Sequence, residues 1–417
     1  MSTPLSTTTR AAGALRGRTR KLDPGGDVLD LAGERGFVWR SDRYELVTRG
    51  VAMRIPLGTG PGRVAAAAPD VAAVLRQIRW GGPFGAPGPV AVGALPFDDR
   101  IPGELVVPEL VVRRDAEGGT WETRVSSNGA APDVLAPVAA DATAWPEVRG
   151  VRPGQDRAGW DAMVGRALAA IAAGEIGKVV LAREVLVEAD RPFSRAAVLR
   201  RLAARDDGCM LYAHDGLVGA SPELLIRRMR WLAVSCPLAG TVARGGASPT
   251  REAERLAGLV ASEKDAAEHR FVVEAVAGTL ARVASRLTVH PRSLIRLATV
   301  AHLATRIELD LARPGHDALE LAGLLHPTPA VAGTPTGRAL ELLAALEPFE
   351  RGRYGGPVGW VDWAGDGEWA VALRGAELTG HRARLVAGAG IVAGSDAASE
   401  WAETEAKLAA MLSVLTS

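Results

Sequence analysis

Hydrophobic residues along the chain fall into short β-type runs and into longer stretches with the 3.6-residue period of a helix. Before residue 150 the runs are brief. Phe37-Val-Trp39, Tyr44-Glu-Leu-Val47 and Glu104-Leu-Val-Val107 have the β-branched and aromatic character of strands, and Gly/Pro clusters such as Gly81-Gly-Pro-Phe-Gly-Ala-Pro-Gly88 separate them. One helix is predicted here, over 64–79, where Val71, Val74, Leu75 and Ile78 recur at helical spacing. Further on, helix is predicted over 157–176 (Trp160, Val164, Leu168 and Ile171 on one stripe), then a strand at Lys178-Val-Val-Leu-Ala-Arg183, a helix over 194–204, and several strands between 209 and 243. The clearest helix spans 262–286, with Ser262 as N-cap and Phe271, Val272, Ala275, Val276 and Leu280 on its apolar side. The uncharged stretch 321–337 carries Pro327, Pro329 and Pro335 and reads as loop. A helix near 337–346, strands at 357–363, 368–379 and 383–392, and a helix over 397–415 complete the pattern.

Strands come in consecutive runs more than in alternation with helices, which predicts an α+β fold with antiparallel sheets rather than a doubly wound parallel one. A weak boundary near 140–155 separates an N-terminal β-rich part, 26–150, from a core, 151–417. Residues 1–25 read as a disordered tail: Arg10, Arg16, Arg18, Arg20 and Lys21 meet no acid before Asp23. That composition imitates a transit peptide, while the lack of an apolar segment argues against secretion.

Composition narrows the function classes. The chain has 417 residues, 47% hydrophobic and 23% charged, enough for a sizeable core. Lys and Arg number 49 against 48 acids, a net charge of +1, which gives no reason to expect nucleic acid or a membrane surface as partner. Two cysteines, Cys209 and Cys236, are too few for a disulfide framework or a Cys-rich zinc site. No uncharged run reaches the roughly 18 apolar residues of a membrane span. These features point to a soluble protein of a reducing, cytoplasmic compartment.

Standard motifs are mostly absent. The seven histidines show no HExxH or zinc spacing, and there is no GxSxG elbow or P-loop. Gly388-Ala-Gly390-Ile-Val-Ala-Gly394 misses the dinucleotide fingerprint by one residue and lacks a following βαβ unit. What remains is paired acids and bases. Lys178 opens an apolar strand, where a partly desolvated lysine can serve as a base or simply snorkel from the strand end. Glu223, between Gly219-Ala-Ser-Pro222 and Leu224-Leu-Ile226, is a carboxyl among apolar neighbours, the setting that raises a pKa and makes an acid. Glu400, Glu403 and Lys407, at i, i+3 and i+7, share one helix face; they fit either a site or an exposed helix with an i, i+4 ion pair. Glu268, between Ala267 and His269, is by spacing alone a solvated helix residue.

Taken in order, these segments resemble the chorismate-utilising enzyme family, and within it the isochorismate synthases. The matching pieces are Lys178-Val-Val-Leu-Ala-Arg183, Gly219-Ala-Ser-Pro-Glu-Leu-Leu225, Pro237-Leu-Ala-Gly-Thr241, Ser262-Glu-Lys-Asp-Ala-Ala-Glu-His269, His302-Leu-Ala-Thr305, Leu325-His-Pro-Thr-Pro-Ala-Val-Ala-Gly333, the 347–360 segment and Ala387-Gly-Ala-Gly-Ile391 with its Glu400/Glu403/Lys407 helix. The resemblance implies two large antiparallel sheets flanked by helices, with the active site in the cleft between them. It implies Mg²⁺ as cofactor, held by Glu268 and Glu403 with Glu400 assisting. It casts Lys178 as the base that activates water for attack at C2 of chorismate and Glu223 as the acid that protonates the departing C4 hydroxyl. Arg374 and Lys407 match residues that hold the substrate carboxylates, with Tyr354 beside one of them and backbone groups near Gly240, Thr241 and Gly388 assisting. His302 and Ala330, in two further matching blocks, are placed against the same substrate.

Among siblings, anthranilate synthases typically carry glutamine where this chain has Lys178, and aminodeoxychorismate synthases carry a nucleophilic lysine where it has Ala239. Salicylate synthases share the base but resemble His-Pro-Ser-Val-Thr where this chain reads His326-Pro-Thr-Pro-Ala330. Isochorismate synthase is therefore the expected activity, with salicylate synthase, which goes on to eliminate pyruvate, as the alternative. A catalytically dead chorismate-binding protein would lack one of the key side chains, and none is lost. The partners implied are chorismate and isochorismate alone, with no amidotransferase subunit because water is the nucleophile, and a monomeric chain. Leu309 departs from the pattern, since relatives commonly have a small residue near that position.

Overall fold

The computed structural model describes residues 14–22, 27–127, 145–205, 208–244, 248–312 and 315–416. Among these residues the strands form two large sheets and one small one. The larger runs from Val148–Pro153 through Lys178–Ala189, Arg382–Ile391, Gly375–Thr379, Leu217–Ser221, Met210–His214, Phe37–Arg40, Tyr44–Arg49, Leu110–Asp115, Thr120–Ser126 and Arg16–Leu22 to Arg79–Gly81. The second runs from Ala284–Val289 through Ile307–Leu311, Leu232–Cys236, Leu224–Met229, Gly367–Val371, Pro357–Asp362, Val90–Ala94 and Gly103–Val107 to Met53–Gly58. The small sheet joins Leu238–Ala243, Val300–Ala304 and Ser293–Arg296. Neighbours pair antiparallel throughout, except that Arg16–Leu22 lies parallel to Arg79–Gly81. This is the α+β fold with antiparallel sheets that the strand pattern predicts, and the two large sheets are those the family resemblance implies.

Each strand has two faces, and both faces of the large sheets are covered. Phe37, Trp39, Leu46 and Tyr212 of the first sheet meet Val92, Val106, Trp360 and Ala370 of the second in one buried layer. Outside the first sheet, helices Arg195–Ala203 and Ala397–Thr416 bring Val198, Leu199, Leu408 and Met411 onto Val185, Val187 and Leu385. Outside the second, helices Arg63–Gln77, Glu263–Leu280 and Ala318–Leu325 bring Val71, Leu75, Val276 and Leu319 onto Leu225, Ile226 and Trp369. Each such side chain gains about 1.5–3 kcal/mol from burial, which fixes the order helix, sheet, sheet, helix.

Several expectations are corrected. Residues 16–22 are not a tail but a strand, because pairing compensates its charges: Arg20 bonds Glu122 at 2.7 Å, and the hydroxyls of Thr19 and Thr123 meet at 2.9 Å. Leu15, just before the strand, is likewise buried in the core, and 1–13 and 23–25 of the 1–25 expectation lie outside the described residues. Part of the 321–337 stretch is helical, Ala318–Leu325 with Asp317 as N-cap, its apolar residues buried except for Leu324. The helix begun at Ser262 ends at Leu280, and 284–289 is strand. A further helix, Pro249–Ala261, precedes it. The strand expected over 368–379 is two strands in different sheets, Gly367–Val371 and Gly375–Thr379. Among the described residues no helix is long and apolar enough to cross a membrane.

That last break matters for function. The chain passes between the two large sheets at Pro222-Glu223 and again at Ala372-Leu373-Arg374. The crossings are stitched together: Val371 N donates to Glu223 O at 3.1 Å, Ala220 N to Arg374 O at 3.3 Å, and Ser221 Oγ to Val371 O at 2.6 Å.

Candidate active site

A cavity opens where these crossings meet the small sheet and the final helix. Glu223, Gly240, Thr241, Glu268, His302, Ala330, Tyr354, Arg374, Gly388 and Lys407 all line it, with Leu238, Ala239 and Gly390. Lys178 sits behind that wall, while Glu400 and Glu403 lie on the adjoining helix and do not line the cavity itself.

Lys178 is fully buried at the start of its strand, flanked by Val179–Ala182. Its Nζ lies 3.0 Å from Oε1 of Glu268 but makes no well-directed hydrogen bond to a protein acceptor. Gly390, on the paired strand, makes this approach possible: a Cβ there would overlap the Glu268 carboxylate and come within 3.1 Å of Lys178 Cε. Burial alone would raise the Glu268 carboxyl, but Lys178, Lys407 and Lys264 outweigh it and hold the group below its ordinary range.

Glu223 behaves in the opposite way. Its side chain is buried at the sheet crossing, and desolvation pushes its carboxyl up to about 8, against the lowering effect of Lys178, the Leu238 amide, Lys407 and Arg374. At neutral pH the group is predominantly a neutral acid, able to give a proton.

Cations and donors occupy the other wall. Lys407 Nζ donates to Gly388 O at 2.9 Å and to Glu403 Oε1 at 2.5 Å. Arg374 sits in the left-handed backbone region at φ +52°, and its Nη2 lies 2.8 Å from Nε2 of His302. His302 Nδ1 in turn lies 3.1 Å from Thr241 Oγ1, its partner across the small sheet. Tyr354 is kept neutral because burial raises its phenol, only partly opposed by Arg351, Lys407 and Arg374.

The three acids expected to hold a metal are each turned toward a lysine: Glu268 to Lys178, Glu400 to Lys264 at 2.6 Å and Glu403 to Lys407. Among the described residues no three acids, histidines or cysteines converge as ready ligands. The donor chemistry nevertheless suits a hard dication. Burial, with Glu268 and Glu400 adding repulsion against Lys407, raises the Glu403 carboxyl, and a cation among these oxygens would relieve that repulsion.

Two contributors escaped the sequence reading. Lys264 lies four residues before Glu268 in a block already singled out, so i, i+4 spacing was the available signal. Gly390 lies in Ala387-Gly-Ala-Gly-Ile391, one of the blocks that carry the family resemblance, but the resemblance assigns it no role of its own.

A family profile described as chorismate binding enzyme matches residues 135–416. The chain is 37% identical over 388 residues to isochorismate synthase DhbC of Bacillus subtilis, covering 90% of this chain and 92% of that one. It is 39% identical over 339 residues to isochorismate synthase EntC of Escherichia coli K12, covering 79% and 82%. Among solved structures, MenF, the menaquinone-specific isochorismate synthase of Escherichia coli, superposes with a TM-score of 0.79 at 27% identity over 99% of this chain and 98% of that one.

Proposed function

The chain belongs to the chorismate-binding enzyme family, and from that premise we propose that it is an isochorismate synthase, interconverting chorismate and isochorismate. The observation that carries this reading is Glu223, a cavity-lining carboxyl that burial keeps protonated, with the buried amine of Lys178 just behind the same wall, 3.0 Å from the lining residue Glu268. Ala239 puts no amine at its own place in the wall. That set suits water as nucleophile.

In the proposed reaction Lys178, in its neutral form, takes a proton from water as the oxygen bonds to C2. Both double bonds of the ring diene shift by one position and the C4–O bond breaks, while Glu223 delivers its proton so that the hydroxyl leaves as water. One water enters and one leaves, so the exchange is reversible and consumes no co-reactant. Arg374 and Lys407 hold the substrate carboxylates and set the ring between base and acid. Glu268 and Glu403, with Glu400 assisting, would hold Mg²⁺. When bound, the ion supplies charge neutralisation beside the ring carboxylate.

The test is incubation of the purified protein with chorismate, with and without Mg²⁺, and identification of products by chromatography and NMR. A magnesium-dependent mixture of chorismate and isochorismate is expected. Salicylate plus pyruvate, or binding without turnover, would overturn the assignment.

A further inference from the structure

Arg374, His302 and Thr241 form one hydrogen-bonded chain along the cavity wall, with 2.8 Å from Arg374 Nη2 to His302 Nε2 and 3.1 Å from His302 Nδ1 to Thr241 Oγ1. The chemistry of the first link decides the rest. A guanidinium has only N–H donors and keeps its charge, so Nε2 of His302 is the acceptor. A neutral imidazole that accepts at Nε2 carries its proton on Nδ1. An imidazolium would set an N–H against the Arg374 donor. With Nδ1 protonated, the Thr241 hydroxyl cannot donate to it and accepts there instead, so its own hydrogen must point elsewhere. The surroundings agree. Burial, with Arg374 and Lys407 facing the ring, pushes His302 well below its ordinary value, and the Gly240 backbone offers the only opposing effect. Arg374 itself adopts φ +52°, an uncommon conformation for a side-chain-bearing residue, which marks its position as constrained by its surroundings.

We infer that His302 is a positioning residue whose neutral, Nδ1-protonated ring fixes the Arg374 guanidinium and turns the Thr241 hydroxyl hydrogen into the cavity, where it donates to a carboxylate of the bound substrate. Both ring nitrogens are committed to protein groups, so the ring is neither the base nor an anion ligand. The identity of that substrate rests on the isochorismate synthase reading; the ring tautomer does not.

Two measurements test the inference. The first is long-range ¹⁵N–¹H NMR of protein labelled at the imidazole nitrogens, with His302→Gln to assign the signal. It is expected to show one neutral ring protonated at Nδ1 from about pH 6 to about pH 8, where an ordinary histidine changes charge. An Nε2-protonated ring, or titration within that range, overturns the inference whether or not chorismate is turned over. The second is kinetic. Thr241→Val is expected to raise KM for chorismate about tenfold or more with a smaller change in kcat, as loss of a hydrogen bond to a charged group would. Thr241→Ser, which restores the hydroxyl, recovers most of that loss. His302→Gln, which offers Arg374 an acceptor but cannot direct Thr241, falls between His302→Leu and the unaltered protein. An unchanged KM in Thr241→Val would remove the hydroxyl from substrate binding, whereas absence of turnover in the unaltered protein would count against the function alone.

Discussion

The side-chain nitrogen of Lys178 and the carboxylate of Glu268 meet at 3.0 Å, one carried by a strand of the large sheet and the other by the helix Glu263–Leu280 packed beside the small sheet. A base candidate and a metal-ligand candidate are thereby joined before any substrate arrives, and each limits where the other can go.

Replacement of Lys178 separates their roles. Lys178→Ala is expected to lower kcat by about 10²–10⁴-fold, the usual contribution of a positioned proton acceptor. Chorismate binding, followed by calorimetry, should persist because Arg374 and Lys407 are untouched. Turnover close to that of the unaltered protein would show that another group accepts the proton.

Glu223 sets an alkaline limit. Its carboxyl, raised by burial to about 8, is in the acid form below that value and loses its proton as pH rises through it. Forward turnover should therefore fall on the alkaline side of about 8, and in Glu223→Gln the residual rate should be low and lack that limb. The same shift acts on stability. Between the ordinary carboxyl value of 4.5 and about 8 the folded protein holds a proton that the unfolded chain has released, so folding stability declines through this window as pH rises. Urea titrations of the two proteins across the window should show the decline flattened in the variant.

Removal of the cation by a chelator is expected to abolish turnover, with recovery on adding Mg²⁺. Glu403→Ala should raise the Mg²⁺ concentration for half-activity at least tenfold, in line with the roughly 10–100-fold effects seen even for groups that only support a metal ligand. Calorimetric Mg²⁺ binding with chorismate present provides the check, and unchanged dependence would rule Glu403 out of the ligand set.

Behind the cavity, the Arg351–Glu347 pair is a structural support. Arg351 donates to Val180 O and Val331 O, both at 2.6 Å, while Glu347 accepts from Ala182 N at 2.8 Å. Both side chains are buried, so Arg351→Met leaves a carboxylate without its counter-charge and should cost about 3–5 kcal/mol. Equilibrium urea unfolding would measure it, and combining Arg351→Met with Glu347→Leu should recover part of the loss.

Much of this was readable before the structure. The strand at Lys178, the acid at Glu223 and the one-faced placement of Glu400, Glu403 and Lys407 follow from local pattern, which depends only on near neighbours in sequence. What escaped depends on distant ones. Arg16–Leu22 looks like a solvated tail until Glu122 and Thr123 are placed beside it. Ala318–Leu325 is apolar apart from Glu320, and all but Glu320 and Leu324 are buried where it packs against another helix, so it shows no narrow stripe to reveal its period. The division of 368–379 is not marked by hydropathy because both halves are strands; only their different sheets separate them. Spacing reveals the Glu403–Lys407 pair, four residues apart on one helix, but not that Glu268 faces Lys178 or that Glu400 faces Lys264, since those partners come from separate elements.

The stitched crossings at Glu223 and Arg374 also have a mechanical meaning. The proton donor and the anion clamp stand on two of the links that tie one half of the sandwich to the other, so a shear of either layer would spoil their alignment. The reaction centre thus works as a gauge of the whole body. Heat or pressure should extinguish turnover together with cooperative unfolding of both layers, rather than through an earlier, local loosening of the pocket.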